Sequence, residues 1–198
     1  MILRYAVLED VPALRTVYAA AVHALAPPLY SAEQVRVWAS FAEQDEFVAF
    51  IRDVDTLVAE VDGRPVGFCG IGADGHVASV YVLGRAAGQG VGTRMLSQAL
   101  QDHPAPTSGR YFAEASLLSR PLFLKLGFVQ IGIEHADRDG IAFERFLMQR
   151  PLDGSAQGAH TKIPHPRVSR ADRSTRIPVV RLVSVGYASA PWNGRSAS

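Results

Sequence analysis

The sequence lacks several features that would each point to a particular class of protein. Cys69 is the only cysteine in 198 residues, which excludes an internal disulfide and a zinc site built on paired thiolates. No apolar run approaches the roughly 18 residues that a membrane span needs. Charged residues at Arg4, Glu9 and Asp10 come too early for the apolar segment of a secretory signal. We therefore expect a cytoplasmic protein with no membrane contact and no metal site.

Net charge is also nearly absent, at +1, but the two signs are unevenly distributed. Residues 1–150 hold 13 Lys+Arg and 17 Asp+Glu, whereas residues 151–198 hold seven and two. One third of those last 48 residues are Pro, Gly or Ser. The composition predicts a folded domain over residues 1–150 and a basic, Pro/Gly/Ser-rich, poorly ordered extension over residues 151–198. A basic arm can bind nucleic acid, but these arginines are dispersed and few aromatics lie between them, so we expect no such partner.

Hydrophobic periodicity in residues 1–150 alternates between helical and extended patterns. Asp-Gly pairs at 62–63, 74–75 and 139–140 predict three hairpins. A strand over 76–82, a helix over 91–101 and a strand over 111–115 predict a right-handed crossover that makes the two strands parallel. The sequence thus predicts an α/β (α+β) fold with a mixed, mostly antiparallel sheet and flanking helices.

Two helix starts carry capping signals. Asp10 precedes Pro12 and is expected to cap the first helix, because its carboxylate can accept from free amides of the first turn. Ser31 and Gln34 have the spacing of a capping box, which predicts a second, short helix that contains Trp38.

A glycine-rich loop is the most informative stretch of the sequence. Gly84, Gly88, Gly90 and Gly92 stand between a β-branched strand and a strong helical pattern. Such a loop lets backbone approach a ligand, and the helix start directs free N–H groups and a positive dipole at an anion. The loop lacks the Gly-Lys-Ser/Thr of a P-loop and the early G-x-G-x-x-G of a dinucleotide site. It predicts a phosphate or pyrophosphate site; the alternative is a turn without a ligand.

The same loop resembles the coenzyme A loop of the GNAT superfamily of N-acetyltransferases, Gln/Arg-x-x-Gly-x-Gly/Ala, with Gly90 and Gly92 at its fixed positions. Residues 116–128, SLLSRPLFLKLGF, are similar to the family's second signature, Asn/Ser followed seven residues later by an aromatic and then x-Lys-x-Gly-Phe. The stretch around Tyr30 and Trp38 looks like a bacterial subgroup of the family whose acceptors are largely unassigned. The resemblance covers residues 1–150.

The resemblance implies a GNAT-like fold with a splayed parallel strand pair, and acetyl-CoA as cosubstrate. Pantetheine would run along Val80–Val82, the amides of Gly88–Thr93 would hold the pyrophosphate, and a backbone N–H near Val82 would stabilise the oxyanion. The full set of implied cofactor contacts is Val80, Tyr81, Val82, Arg85, Gly88, Gln89, Gly90, Val91, Gly92, Thr93, Ser116 and Phe123.

Two positions depart from the family pattern. Ala87 stands where the family has Gln or Arg, and Arg85 is a candidate replacement for the lost phosphate contact. Phe123 stands where many relatives place a tyrosine that protonates the leaving thiolate, which Phe cannot do. Ser116, Tyr81 and water remain open as substitutes.

The implied reaction is direct attack of a primary amine on the thioester. Glu114 and His76 are candidate general bases and Ser116 is a third candidate catalytic residue; each also fits an ordinary polar position on a strand or turn. His23, Tyr30 and Trp38 are candidate acceptor contacts, although Trp38 fits a core position equally well. The acceptor would be a small-molecule or peptide amine, and a homodimer stays open. The alternative function is a catalytically silent acyl-CoA-binding or interaction module.

Overall fold

The computed structural model describes residues 1–152, so the predicted extension lies outside the described residues apart from its first two positions. No helix within residues 1–152 is long and apolar enough to cross a membrane. The elements, in chain order, are β1 (Ile2–Tyr5), α1 (Val11–Leu25), α2 (Ala32–Ser40), α3 (Glu46–Arg52), β2 (Asp55–Val61), β3 (Arg64–Ile71), β4 (Val77–Val82), α4 (Val91–Asp102), β5 (Arg110–Ala115), α5 (Arg120–Lys125), β6 (Val129–Arg138) and β7 (Ile141–Pro151).

The strands form two antiparallel sheets that meet at one point. The first sheet has the order β1-β2-β3-β4 and the second has the order β5-β7-β6. An isolated parallel bridge between His76 and Phe112 joins them, where Phe112 N donates to Gly75 O over 3.1 Å. The predicted parallel pair, 76–82 and 111–115, is confirmed, and the two strands part immediately after this bridge.

The three predicted hairpins are confirmed. Asp62 and Gly63 both have positive φ (52° and 69°), as do Asp139 and Gly140 (52° and 77°). This is the backbone geometry of type I′ turns, which match the twist of the paired strands. Gly75, with a φ of 88°, lies in the connection between β3 and β4.

One of the two predicted caps is confirmed and the other is wrong. Ser31 Oγ accepts from Gln34 N over 3.1 Å, and Gln34 Oε1 accepts from Ser31 N over 3.0 Å. Asp10 does not cap α1, because its carboxylate is held by two 2.7 Å hydrogen bonds from Arg4. Asp10 Oδ2 also accepts from Val7 N over 2.8 Å and so closes the short 3₁₀ turn that precedes α1.

The first sheet is covered on both faces. On one face Tyr18 of α1 and Phe47 of α3 pack with Phe68 of β3, and all three are buried. On the other face α4 lies so close to β3 that a Cβ on Gly67 would be 3.0 Å from Met95 Cε. Tyr81 extends the aromatic layer on the α1 face, 4.3 Å from the Tyr18 ring centroid.

A β-bulge in β4 of the first sheet interrupts the alternation of side chains between the two faces. Gly70 pairs with Ser79, but the next residue, Ile71, pairs with Val77, so Ala78 is an extra residue in the β4 strand. Such a bulge turns the side chains that precede it to the opposite face. His76 therefore emerges on the α1 face of the sheet, the face that carries Tyr81.

Candidate functional site

The glycine loop ends in an open cradle of free amides. Gly88 and Gly90 have φ values of 75° and 81°, and a Cβ at either position would meet nothing within 4 Å. In the described chain the amides of Gly88–Thr93 donate to no protein oxygen, whereas Arg94 N donates to Gly90 O over 2.9 Å. Six unpaired N–H groups at the start of a 12-residue helix favour an anion.

A cleft leads from this cradle between β4 and β5. Leu83 N donates to Val66 O on the β3 side over 2.8 Å, so strand alternation directs the N–H and C=O groups of Val80 and Val82 towards β5. No β5 partner pairs with them in the described residues, because the strands have parted. Gly92 lies against Val80 and Val82, where a Cβ would be 3.6–3.7 Å from their methyl groups. An extended ligand that contains amide groups can form hydrogen bonds with these unpaired backbone groups.

His76 and Glu114 form a pair at the point where the strands part. His76 Nε2 and Glu114 Oε2 are 2.7 Å apart, and the His76 ring stacks on Phe112 with a centroid distance of 5.0 Å. Both side chains are about 30% exposed, so the pair is reachable from solvent. Burial acts to raise the pKa of Glu114, but hydrogen bonding and charge from His76, with the charge of Arg145, lower it below its ordinary value. Glu114 is therefore a carboxylate at neutral pH.

Aromatic side chains line the same side of the sheets. Trp38 Nε1 donates to the Tyr81 hydroxyl over 3.2 Å, and the Tyr30 and Trp38 rings meet edge to face at 5.2 Å. Phe143 of β7 packs on both, at 6.3 Å from Tyr30 and 6.5 Å from Trp38. The predicted acceptor residues Tyr30 and Trp38 are thus brought together, and the Tyr30 hydroxyl accepts from Leu117 N over 2.9 Å.

Comparison with known proteins identifies the family that has this fold and this loop. The family model of the acetyltransferase (GNAT) domain matches residues 27–149. The chain belongs to the GNAT acetyltransferase family. It is therefore an N-acetyltransferase that uses acetyl-CoA as cosubstrate, which confirms the family, the fold class and the enzyme class expected from the sequence. Among curated proteins, none matches the chain.

Solved structures share the fold over most of their length. A GCN5-related N-acetyltransferase from Rhodopseudomonas palustris is 27% identical, with a TM-score of 0.73, and the match covers 76% of this chain and 95% of that one. A ribosomal-protein-alanine N-acetyltransferase from Brucella melitensis is 26% identical, with a TM-score of 0.54 and coverage of 77% and 100%. PaiA N-acetyltransferase from Thermoplasma acidophilum, solved with coenzyme A, is 17% identical, with a TM-score of 0.60 and coverage of 76% and 98%.

This GNAT acetyltransferase departs from the family pattern at Phe123 and at Ala87, for which Arg85 is the candidate replacement; the structure shows the surroundings of Phe123 and Arg85. Phe123 is 3% exposed and packs edge to face on Phe128, with a centroid distance of 5.0 Å. Arg85 is exposed and lines a depression of about 400 Å³ with Val61, Asp62, Arg64 and Val66. This depression lies beside the β2–β3 hairpin, on the side of β4 away from β5. The phosphate role of Arg85 stays a prediction.

Other predicted site residues have structural roles that the sequence did not reveal. Ser116 Oγ accepts from Ser119 N over 3.1 Å, and Ser119 Oγ accepts from Ser116 N over 3.0 Å, which together fix the turn that starts α5. His23 is exposed on the last turn of α1 and shares none of the ring contacts that join Tyr30 and Trp38. The roles of Ser116 in catalysis and of His23 in acceptor binding stay predictions.

Sequence reasoning missed a row of residues on the β6–β7 hairpin. Pairing of Glu134 with Arg145 and of Ala136 with Phe143 places alternate residues on one face, which is also the face of Glu114, paired with Leu147. We call this the acceptor-side face; its polar members are Arg110, Glu114, Glu134, Arg138, Arg145 and Gln149. Counting outward in steps of two from the Asp139-Gly140 turn would have identified the hairpin members Glu134, Arg138 and Arg145. Tyr18 of α1 is 1% exposed, and its ring also backs Tyr81.

Proposed function

We propose that this enzyme acetylates a primary amine by direct attack on the thioester of acetyl-CoA, with the His76–Glu114 pair accepting the amine proton. The observation that carries the proposal is the 2.7 Å contact between two titratable side chains at the point where β4 and β5 part. The pair shares its face of the sheets with the aromatic pocket of Tyr30, Trp38 and Phe143. The base and the pocket thus lie on one face, and the anion cradle follows β4 at its other end.

Cofactor binding is supported by the free backbone groups. We place the pyrophosphate on the amides of Gly88–Thr93 and the pantetheine along Val80–Val82, where the strand edge is unpaired. In this pose the thioester lies beside β4, within reach of amines that enter from the acceptor-side face. A backbone N–H of Val80 or Val82 then donates to the oxyanion as the amine nitrogen attacks the carbonyl carbon, and needs no reorganisation to do so.

Proton transfer is assigned to His76 and Glu114 together. An ammonium acceptor must lose a proton before its nitrogen can attack. In the tautomer in which His76 Nε2–H donates to the Glu114 carboxylate, Nδ1 carries the free lone pair and can take that proton directly or through one water. The neighbouring carboxylate then stabilises the imidazolium that forms. This relay requires Glu114 to be ionised, as its lowered pKa provides.

The leaving group departs without a tyrosine at position 123. Collapse of the tetrahedral intermediate breaks the C–S bond and releases coenzyme A as a thiolate, which is a tolerable leaving group. The hydroxyls of Ser116 and Tyr81, or water, are the available proton donors. Loss of a dedicated acid costs a factor of about 10² in rate. Positioning of the amine and stabilisation of the oxyanion do not depend on Phe123.

We propose further that the acceptor is a small-molecule or peptide amine and that the enzyme works in the cytoplasm. The decisive assay measures thiol release from acetyl-CoA across a broad panel of amines, with mass spectrometry of the product. An amine that gains one acetyl group as thiol appears supports the proposal. Tight acetyl-CoA binding without turnover on any amine would instead favour the silent binding module.

A further inference from the structure

Two arginines of the acceptor-side face have no ion-pair partner in the described part of the chain. Arg145 bonds Glu134 and His76 bonds Glu114, each over 2.7 Å, whereas neither Arg110 nor Arg138 has a carboxylate within 4.0 Å among the described residues. Arg110 lies over the Phe112 ring of its own strand, with Cζ 5.7 Å from the centroid. Arg138 lies at the end of β6, where its neighbour Asp137 accepts from Gly140 N over 3.0 Å. Within residues 1–152, the hairpin end of the face therefore carries one positive charge without an ion-pair partner, that of Arg138.

The guanidinium of Arg138 is held at the aromatic pocket although its residue is exposed. Its Cζ atom lies 5.9 Å from the ring centroid of Phe143, in the range of a cation–π contact. The Tyr18 hydroxyl is close enough that Arg138 opposes the rise that burial causes in the pKa of Tyr18. Two aromatic side chains thus contact the cation, and its N–H groups donate to no carboxylate or backbone oxygen in the described residues.

The wall behind Arg138 is fixed in place. Gln34 Nε2 donates to Ala142 O over 2.8 Å and ties α2 to the hairpin beside Phe143. Trp38 of the same helix packs on Phe143 and donates to Tyr81, so pocket and hairpin form one continuous surface. Arg138 lies against the edge of this surface, so its guanidinium can donate hydrogen bonds to an anion that occupies the pocket.

We propose that the acceptor is an amine that also carries a carboxylate, and that Arg138 binds this carboxylate while the amino group points to His76 and Glu114. The inference rests on the proposed acetyl transfer and names its substrate class. A guanidinium matches a carboxylate with two parallel hydrogen bonds, which orients the substrate as well as attracting it. Polyamines, whose further charges are positive, would be repelled by the unpaired cation.

The test compares amines that differ only in the carboxylate. Phenylalanine, leucine and glutamate are each assayed beside their α-carboxamides, together with phenethylamine and spermidine, by thiol release from acetyl-CoA. The same panel is run on the full-length protein and on Arg138→Gln, Arg138→Lys and Arg36→Gln. Arg36 is a matched control because its side chain is 70% exposed on α2, away from the pocket. The quantity compared is the acid-to-amide ratio of kcat/KM, in which the intrinsic reactivity of each amine cancels between variants.

The wild type should prefer at least one acid to its amide by about tenfold or more. Arg138→Gln should lose this ratio mainly through a higher KM, Arg138→Lys should keep part of it, and Arg36→Gln should leave it unchanged. Turnover of amides, phenethylamine or spermidine as good as that of the acids would overturn the inference but leave acetyl transfer standing. An acid preference that survives in Arg138→Gln would overturn it as well. Absence of turnover on every amine would refute acetyl transfer itself, and the inference with it.

Discussion

His76 Nε2 and Glu114 Oε2 lie 2.7 Å apart and belong to the ends of two different sheets. The chain brings them together through the parallel bridge of His76 with Phe112, two residues before Glu114. The extra residue Ala78 turns His76 to the face that Glu114 also occupies. The proposed catalytic base would therefore stand between the proposed pantetheine contacts along β4 and the aromatic pocket.

If the amides of Gly88–Thr93 bind the pyrophosphate, a side chain at position 90 should prevent acetyl-CoA binding. Gly90→Val should abolish acetyl-CoA binding, because a branched side chain would fill the space in which phosphate approaches the amides, and calorimetry measures this. Gly109→Val is the matched control: Gly109 has a φ of 70° and open space, so it carries the same strain of about 1–2 kcal/mol outside the loop. Full affinity in Gly90→Val would remove the phosphate site from this loop.

Replacement of Phe123 by tyrosine should increase the rate of acetyl transfer. Phe123→Tyr should raise kcat by about tenfold or more at neutral pH, because the added hydroxyl can protonate the leaving thiolate. Phe128→Tyr makes the same change in the adjoining ring, which is 2% exposed, and should give no gain. If Phe123→Tyr binds acetyl-CoA and melts like the wild type yet turns over no faster, the thiolate is protonated by another route.

The ion pair between Asp10 and Arg4 should make the free energy of unfolding depend on pH in acid. Hydrogen bonds from Arg4, opposed by burial, hold the pKa of Asp10 below its ordinary value. A lowered folded-state pKa means that the stabilisation is complete above about pH 4 and is lost as pH falls through the lowered value. Asp10→Asn should therefore unfold more easily at pH 7, by about 1–3 kcal/mol in urea, and show a flatter loss below pH 4. Glu43→Gln, on an exposed side chain, is the control; equal acid profiles for wild type and Asp10→Asn would contradict the assignment.

The domain boundary predicts which truncations fold. β7 continues through Pro151, which pairs with Arg110, and Leu152 packs against the core, so the folded unit runs slightly past residue 150. A chain of residues 1–152 should keep one cooperative melting transition. Removal of residues 149–152 as well should lower the melting temperature, because three pairs with β5 are lost. Aggregation of the 1–152 chain would show that the extension completes the fold.

Local signals predicted most of the fold. The Asp-Gly turns, the Ser31 capping box and the glycine loop each depend on a few adjacent residues, and the structure has them where the sequence placed them. Asp10 was assigned the wrong partner because Arg4 competes for its carboxylate from the neighbouring strand. A charged hydrogen bond of this kind outweighs a single cap, and it is not visible in local spacing.

The candidate site was only partly predictable, because it also depends on contacts between residues that are distant in the sequence. His76 and Glu114 were separate candidates, because nothing in a linear sequence shows that Ala78 is an extra residue or that the sheets bridge at Phe112. Motif reasoning cannot find Arg138, because its proposed role depends on the position of the β6–β7 hairpin, which carries Phe143, beside Tyr18 of α1. Contacts between distant segments decide both cases.

The most direct measurement is the pH–rate profile of Glu114→Gln beside the wild type, with acetyl-CoA affinity measured on both. Gln keeps the size of the side chain and an oxygen that can accept from His76 Nε2–H, but it cannot stabilise the imidazolium as a carboxylate does. We expect kcat/KM for the amine to fall about 10²-fold, with acetyl-CoA affinity unchanged and activity recovering as alkaline pH deprotonates the amine. Glu43→Gln, which removes an exposed carboxylate that has no ion pair with His76 or Arg145, should retain the wild-type profile. A Glu114→Gln enzyme with the rate and pH profile of the wild type would contradict the assignment of this pair as the base.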